Sequence, residues 1–175
     1  MRSSLSPDPP NDFARKGDIV IALEPFEASD AVALRAELAD ELNRRYRGDS
    51  EPGAKPTSSD SPVFLIARDQ SGRALGCGGL RALGAAEAEI KRMFVRPEAR
   101  GLGLGRRLLD ALEEHAHLRG WRCLRLETGE AQPEAIALYR RAGYVPIPCF
   151  GAYAHTPRSR CFERHLPPRD GDSGH

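Results

Sequence analysis

The chain has 175 residues, 40% of them hydrophobic, and 26 basic against 25 acidic side chains give a formal net charge of +1. That length suits one domain burying about two thirds of the surface of its unfolded chain, and the balanced charge supplies no global field to draw nucleic acid or anionic lipid. The longest strongly apolar runs, such as Val63 to Ala67, are too short to span a membrane, and the opening M-R-S-S-L-S-P-D-P-P-N-D lacks an apolar core of signal-peptide length. Both absences point to the cytoplasm.

Residues 1–16 read as a flexible tail rich in Pro, Ser and charge, residues 17–166 as the folded domain, and residues 167–175 as a second polar tail. Asp18 to Leu23 predicts a first strand. Ser29 or Asp30 can cap a helix whose stripe is Ala31, Leu34, Leu38 and Leu42, running to about Tyr46. Gly48 to Pro62 is polar and predicts a solvated loop. Val63 to Arg68 and Arg73 to Leu83 predict a hairpin turning at Asp69 to Gly72. Gly76, Gly78 and Gly79 inside its second strand suggest a bulge or a close approach to a ligand or helix.

Glu87 to Ala116 reads as a strand closed by Pro97, a glycine-rich turn, and an amphipathic helix with Leu104, Leu108, Ala111 and Leu112 on one side. A helix starting directly after such a loop offers free N–H groups and the positive end of its dipole, a natural seat for phosphate. Trp121 to Thr128 predicts the next strand. Pro133 opens a further helix that Gly143 ends, Tyr144 to Ile147 is another strand, and Cys161 to Leu166 a last one. A helical crossover makes the strands on either side of the central helix parallel, so the class is α/β, with a mixed sheet and helices on both faces.

The four cysteines, Cys77, Cys123, Cys149 and Cys161, are widely spread without a C-x-x-C pair. That spacing favours reduced, buried thiols over a metal site or disulfide framework. His115 and His117, two apart on a helix, do not share a face, so no metal is expected there.

The glycine loop fails two common tests. A Walker-type loop needs Gly-Lys-Ser/Thr where Arg106 stands, and a dinucleotide fingerprint needs a third glycine at that same place. What remains is Arg-x-x-Gly-x-Gly at Arg100, Gly103 and Gly105. With A-I-A-L-Y-R-R-A-G-Y further on, this chain from about Val63 to Tyr144 resembles the GNAT superfamily of acyl-CoA-dependent N-acetyltransferases.

The resemblance implies a single-domain, mostly antiparallel twisted sheet whose central parallel pair is splayed for the cofactor. It implies acetyl-CoA as co-substrate and no metal. The backbone of Met93, Phe94 and Val95 would pair with the pantetheine arm as an added strand. Gly101, Leu102, Gly103, Leu104, Gly105 and Arg106 would hold the pyrophosphate through their amides, Arg100 and Arg106 adding charge. Tyr139 would lie near the thioester sulfur. The family often has Asn where Gln132-Pro133 stands here.

Acetyl transfer requires an amine that has lost its proton, a donor for the developing oxyanion, and a proton for the departing thiolate. A β-strand N–H at Phe94 or Val95 suits the oxyanion, and the Tyr139 phenol suits the thiolate. Glu89 is the first candidate base, with Glu127 and Glu87 next. Strict alternation would set Glu89, Lys91, Met93 and Val95 on one face and Ile90, Arg92 and Phe94 on the other.

A small, amino-acid-like primary amine is the expected acceptor, because no basic or aromatic patch suggests a macromolecule. Its contacts are expected from Glu37, Glu41, Arg44, Arg45 and Tyr46, from Glu127, from the Gly48 to Pro62 loop, and from the Phe150 to His155 loop. Arg44 and Arg45 would suit a carboxylate. Peptide acetylation and a non-catalytic CoA-binding module are the alternatives. The late strand Cys161 to Leu166, if exposed, would offer a homodimer surface. Nucleic acid and membrane are not expected partners.

Overall fold

The computed structural model describes residues 19–48 and 52–169. The expected tails fall almost wholly outside these, as does part of the loop after the first helix. The elements run β1 (Val20–Leu23), α1 (Ser29–Tyr46), β2 (Val63–Arg68), β3 (Ala74–Ala82), β4 (Glu87–Val95), α2 (Leu104–Leu118), β5 (Cys123–Gly129), α3 (Pro133–Arg141), β6 (Val145–Ile147) and β7 (Ser159–His165). They build one seven-stranded sheet in the order β1-β2-β3-β4-β5-β7-β6. Only β4 with β5 is parallel among the strand pairs. The mixed, mostly antiparallel sheet is therefore present.

Two apolar layers sandwich the sheet. Val63, Leu65 and Ala67 of β2 pack with Leu108, Leu109 and Leu112 of α2, while Phe64 and Ile66 pack with Ala31, Leu34 and Leu38 of α1. A strand covered on both faces must be apolar at every position, which explains the unbroken V-F-L-I-A run. The hairpin glycines have a specific use. A Cβ on Gly78 would lie 2.6 Å from the Met93 sulfur and 3.1 Å from Leu112, so α2 can seat closely only over bare backbone.

Four expectations need correction. Neither Ser29 nor Asp30 caps α1: its N-cap is Ala28, without a side-chain hydrogen bond. Asp30 instead pairs with Arg68, which also binds Glu24. β7 is not an edge but lies between β5 and β6, so the homodimer surface expected there is not exposed as a strand edge. Cys149 and Cys161 are joined by a disulfide with Cα atoms 5.1 Å apart, whereas Cys77 and Cys123 are free and buried. Spacing along the chain gave no hint of this because β7 returns beside the loop that leaves β6.

The last correction concerns β4. Gly79 pairs with Lys91 and Cys77 with Phe94, so Gly78 alone faces both Arg92 and Met93. Arg92 has φ of 58°. This bulge reverses the alternation. Ala88, Ile90, Met93 and Val95 join the α2 side, and Phe94 joins the α1 side.

No described helix is long and apolar enough to cross a membrane.

Candidate active site

β4 and β5 are in register only from Glu87 with Cys123 to Ile90 with Leu126. Beyond that β5 stays with β7 as far as Gly129 and Ser159, while β4 turns away at its bulge. The gap opens a cavity of about 680 Å³. It runs from the glycine loop, past Met93, Phe94 and Val95, to Tyr139 and Glu127, with Leu38, Glu41 and Tyr46 of α1 forming another wall.

At one end of the cavity the chain is shaped for an anion. Gly101 and Gly103 have φ of 81° and 75°, which L-residues with side chains rarely adopt. A Cβ on either would meet nothing within 4 Å, so the backbone there is open to a ligand. Gly103 is the N-cap of α2 and no side chain caps that end. The first-turn N–H groups of α2 are left for an anion. Arg100, Gly101, Gly103, Leu104, Gly105 and Arg106 line the cavity, while Leu102 does not and is 70% exposed. Arg100 is bound to Glu41 at 2.6 Å and Arg106 to Asp110 at 2.8 Å. Their charge reaches a phosphate only in competition with those carboxylates.

An acyl-CoA fits this geometry: bare amides at the helix start for its diphosphate, and a stretch of β4 without a strand on its β5 side for the extended arm.

At the other end lie the groups that can handle protons. Tyr139 of α3 is buried and edge-on to Tyr144, ring centroids 5.8 Å apart. Burial, with a smaller contribution from the Glu127 charge, pushes its phenol well above the usual tyrosine range. Glu127 lines the cavity and accepts a hydrogen bond of 2.8 Å from the Ser159 hydroxyl.

Glu89 is elsewhere. It is 2% exposed, does not line the cavity, and accepts a 2.7 Å hydrogen bond from the Tyr153 hydroxyl. Lys91, which does line the cavity, donates to that same hydroxyl at 2.7 Å. Sequence reasoning missed Tyr153 as a partner. It closes a single 3-10 turn, Gly151–Tyr153, too short for a periodicity to mark it.

Of the expected acceptor residues, Glu41 and Tyr46 line the cavity along with Glu127. Arg45 is bound to Glu41 at 3.0 Å, to Glu134 at 2.5 Å and to the Ala131 carbonyl at 3.0 Å, and lines a smaller neighbouring cleft. Arg44 is exposed and lines neither. Glu37 is engaged by Arg96. Thr156 and Arg158 line the cavity from the segment before β7. Away from it, Cys123, Glu163 and His165 bring one donor atom each within 4.8 Å of one another, with Arg125 held at 3.3 Å from Glu163.

A parted parallel strand pair beside a bare helix start defines an acyl-CoA-dependent transferase fold. The profile of the Acetyltransferase (GNAT) family matches residues 30–144, and the chain belongs to that family of acetyltransferases. It is 40% identical over 138 residues to an IAA acetyltransferase of Azospirillum brasilense, covering 74% of this chain and 89% of that one. Its fold is similar to that of a Klebsiella pneumoniae protein assigned to the acyl-CoA N-acyltransferases, with a TM-score of 0.74 and 32% identity over 85% of this chain and 97% of that one. A GNAT acetyltransferase from Elizabethkingia anophelis with acetyl-CoA bound shares the fold at a TM-score of 0.64 and 17% identity, over 86% and 100% of the two chains.

Proposed function

We propose that the protein moves the acetyl group of acetyl-CoA directly to the primary amine of a small, amino-acid-like molecule. The observation that carries this reading is one continuous cavity joining the glycine loop to Tyr139 and Glu127. Acetyl-CoA supplies an activated thioester there. The amides of Gly101 to Arg106 bind its diphosphate, and the backbone of Met93 to Val95 orients its arm. A β4 N–H, of Phe94 or Val95, meets the developing oxyanion.

Glu127 and Arg158 place a carboxylate and a guanidinium on the cavity wall, complementary to the ammonium and carboxylate of an amino-acid-like acceptor, whereas Glu41 and Glu134 are already paired with Arg45 and Arg100. Arg45 serves the acceptor only indirectly, because its guanidinium is already held by Glu41 and Glu134. The acceptor ammonium gives one proton to Glu127, the freed nitrogen lone pair attacks the thioester carbon, and the C–S bond breaks as Tyr139 protonates the sulfur, the second nitrogen proton returning to the Tyr139 oxygen. Glu127 is preferred to Glu89 as base because it lines the cavity, whereas Glu89 does not and is bonded to Tyr153 and paired with Lys91.

The test is thiol release from acetyl-CoA across a panel of amino acids, small amines and peptides, with Glu127→Gln and Glu89→Gln alongside. Turnover of a small amine is expected, with Glu127→Gln slowing it about a hundredfold or more and Glu89→Gln slowing it much less. Turnover of peptides alone would replace the small-molecule reading, and the reverse order of the two variants would move the base to Glu89.

A further inference from the structure

Glu41 of α1 is gripped by two guanidinium groups, one on each oxygen. Its Oε2 lies 2.6 Å from Arg100 and its Oε1 3.0 Å from Arg45. The side chain is 18% exposed and lines the cavity beside Leu38 and Leu42 of the same helix. A carboxylate in such a place has to be paired. The pair with Arg45 is local, because residues four apart on a helix are neighbours. The pair with Arg100 is not. It ties α1 to the start of the glycine loop, 59 residues further on.

Arg100 stands directly before Gly101 and lines the end of the cavity shaped for an anion. Its Nε donates to the Val95 carbonyl at 2.9 Å, and a terminal nitrogen donates to Glu41. A phosphate seated on the open amides of the loop must therefore draw Arg100 away from a carboxylate already in possession of it. The other arginine of the loop meets a weaker rival. Arg106 pairs with Asp110 on its own helix, with side chains 45% and 54% exposed, where water screens the attraction.

Glu41 is anchored from behind. Arg45 is itself fixed by Glu134 at 2.5 Å and by the Ala131 carbonyl at 3.0 Å. When Arg100 turns to a ligand, Glu41 keeps Arg45, so no buried charge is stranded. A carboxylate with a single partner could not release it so readily. Two guanidinium groups and two carboxylates balance in the chain Arg100–Glu41–Arg45–Glu134. Drawing Arg100 out leaves the remainder one charge negative, a standing pull that recovers the guanidinium as the ligand loosens.

We infer that Glu41 is a built-in competitor of the cofactor for Arg100. It cedes the guanidinium to the diphosphate of acetyl-CoA on binding and reclaims it as CoA departs, and so limits cofactor affinity and speeds product release. This rests on the reading that the diphosphate sits at the glycine loop.

The experiment measures acetyl-CoA affinity by calorimetry and the CoA dissociation rate by stopped flow, for Glu41→Gln, Glu41→Ala, Arg100→Gln and the Glu41→Gln/Arg100→Gln pair. Affinity for S-acetylpantetheine, which lacks the diphosphate, is measured alongside. Glu41→Gln is expected to bind acetyl-CoA about threefold more tightly, the scale of a partly exposed ion pair, and to release CoA correspondingly more slowly. Glu41→Ala repeats the gain where the glutamine carbonyl still holds Arg100. Arg100→Gln binds acetyl-CoA more weakly, and in that background Glu41→Gln gives no gain. Affinity for S-acetylpantetheine stays level in the Glu41 variants. A merely structural Glu41 would instead weaken both ligands together. Unchanged or weaker acetyl-CoA binding in both Glu41 variants, or an equal gain for S-acetylpantetheine or without Arg100, overturns the inference while weakened binding by Arg100→Gln upholds the diphosphate site. Arg100→Gln with natural acetyl-CoA affinity removes Arg100 from that site and the inference with it.

Discussion

Tyr139 is the clearest case of a residue whose chemistry is set by where it is buried. Its phenol is buried, and burial favours the neutral form. Burial therefore keeps the phenol protonated and able to donate a hydrogen bond to the leaving sulfur, although it also makes the phenol a weaker acid, so the proton passes only as charge develops on that sulfur. Tyr139→Phe should lower kcat about a hundredfold or more and leave acetyl-CoA affinity nearly unchanged, measured as single-turnover thiol release beside calorimetric binding. Affinity lost in parallel with rate would make Tyr139 a packing residue instead.

The Lys91–Tyr153–Glu89 cluster has its own fixed polarity. An ammonium only donates and an ionised carboxylate only accepts, so the hydroxyl between them accepts from Lys91 and donates to Glu89. Tyr139, Glu127 and Glu89 could all be picked out from residue type and position. Which carboxylate reaches the cavity could not. Glu89 is instead bonded to a tyrosine 64 residues further along the chain.

Among the elements, the loop between β6 and β7 depends most on a covalent link. The disulfide joins residues 12 apart. Chain-entropy reasoning gives a closure of that length about 3 kcal/mol. Cys149→Ser should lower unfolding stability by roughly 2–3 kcal/mol, read from the urea midpoint, and a dithiol should reproduce the loss in the natural protein but not in the variant. No change in either would mean that the hydrogen bonds of the segment already fix its ends.

The glycine loop and its helix were legible because a bare loop, an apolar stripe and a following proline helix are local patterns. The bulge in β4 was not legible. Bulges with positive φ usually announce themselves by Gly, Asn or Asp, and here the position is held by Arg92. The one trace was on the partner strand, in the glycines opposite.

For the whole molecule, α2 carries two histidines whose environments oppose charge. Burial lowers the affinity of His115 and His117 for protons below the ordinary value of 6.5, with nearby arginines adding to the effect. The unfolded chain therefore takes up protons first as pH falls through about 6.5, and stability should decline from there downward until the folded histidines titrate. Urea unfolding at a series of pH values between 5 and 8 checks this, and His115→Gln should flatten the decline. A midpoint that is level down to pH 5 would show that other groups compensate.

The parallel pair followed from the helical crossover between its two strands. The place of β7 did not, because a strand entering between two others leaves no mark on its own sequence.

The bulge at Arg92 is one residue out of phase with its strand. Upstream of it, the odd positions Glu89 and Lys91 look toward the Tyr153 segment; downstream, the odd positions Met93 and Val95 look toward α2. A single added residue thus gives one strand two reading frames. The polar frame carries the hydrogen bonds of Lys91 and Glu89 to Tyr153, and the apolar frame closes the core against α2. Removing one residue here would swap the faces of Met93, Phe94 and Val95 without altering any other strand.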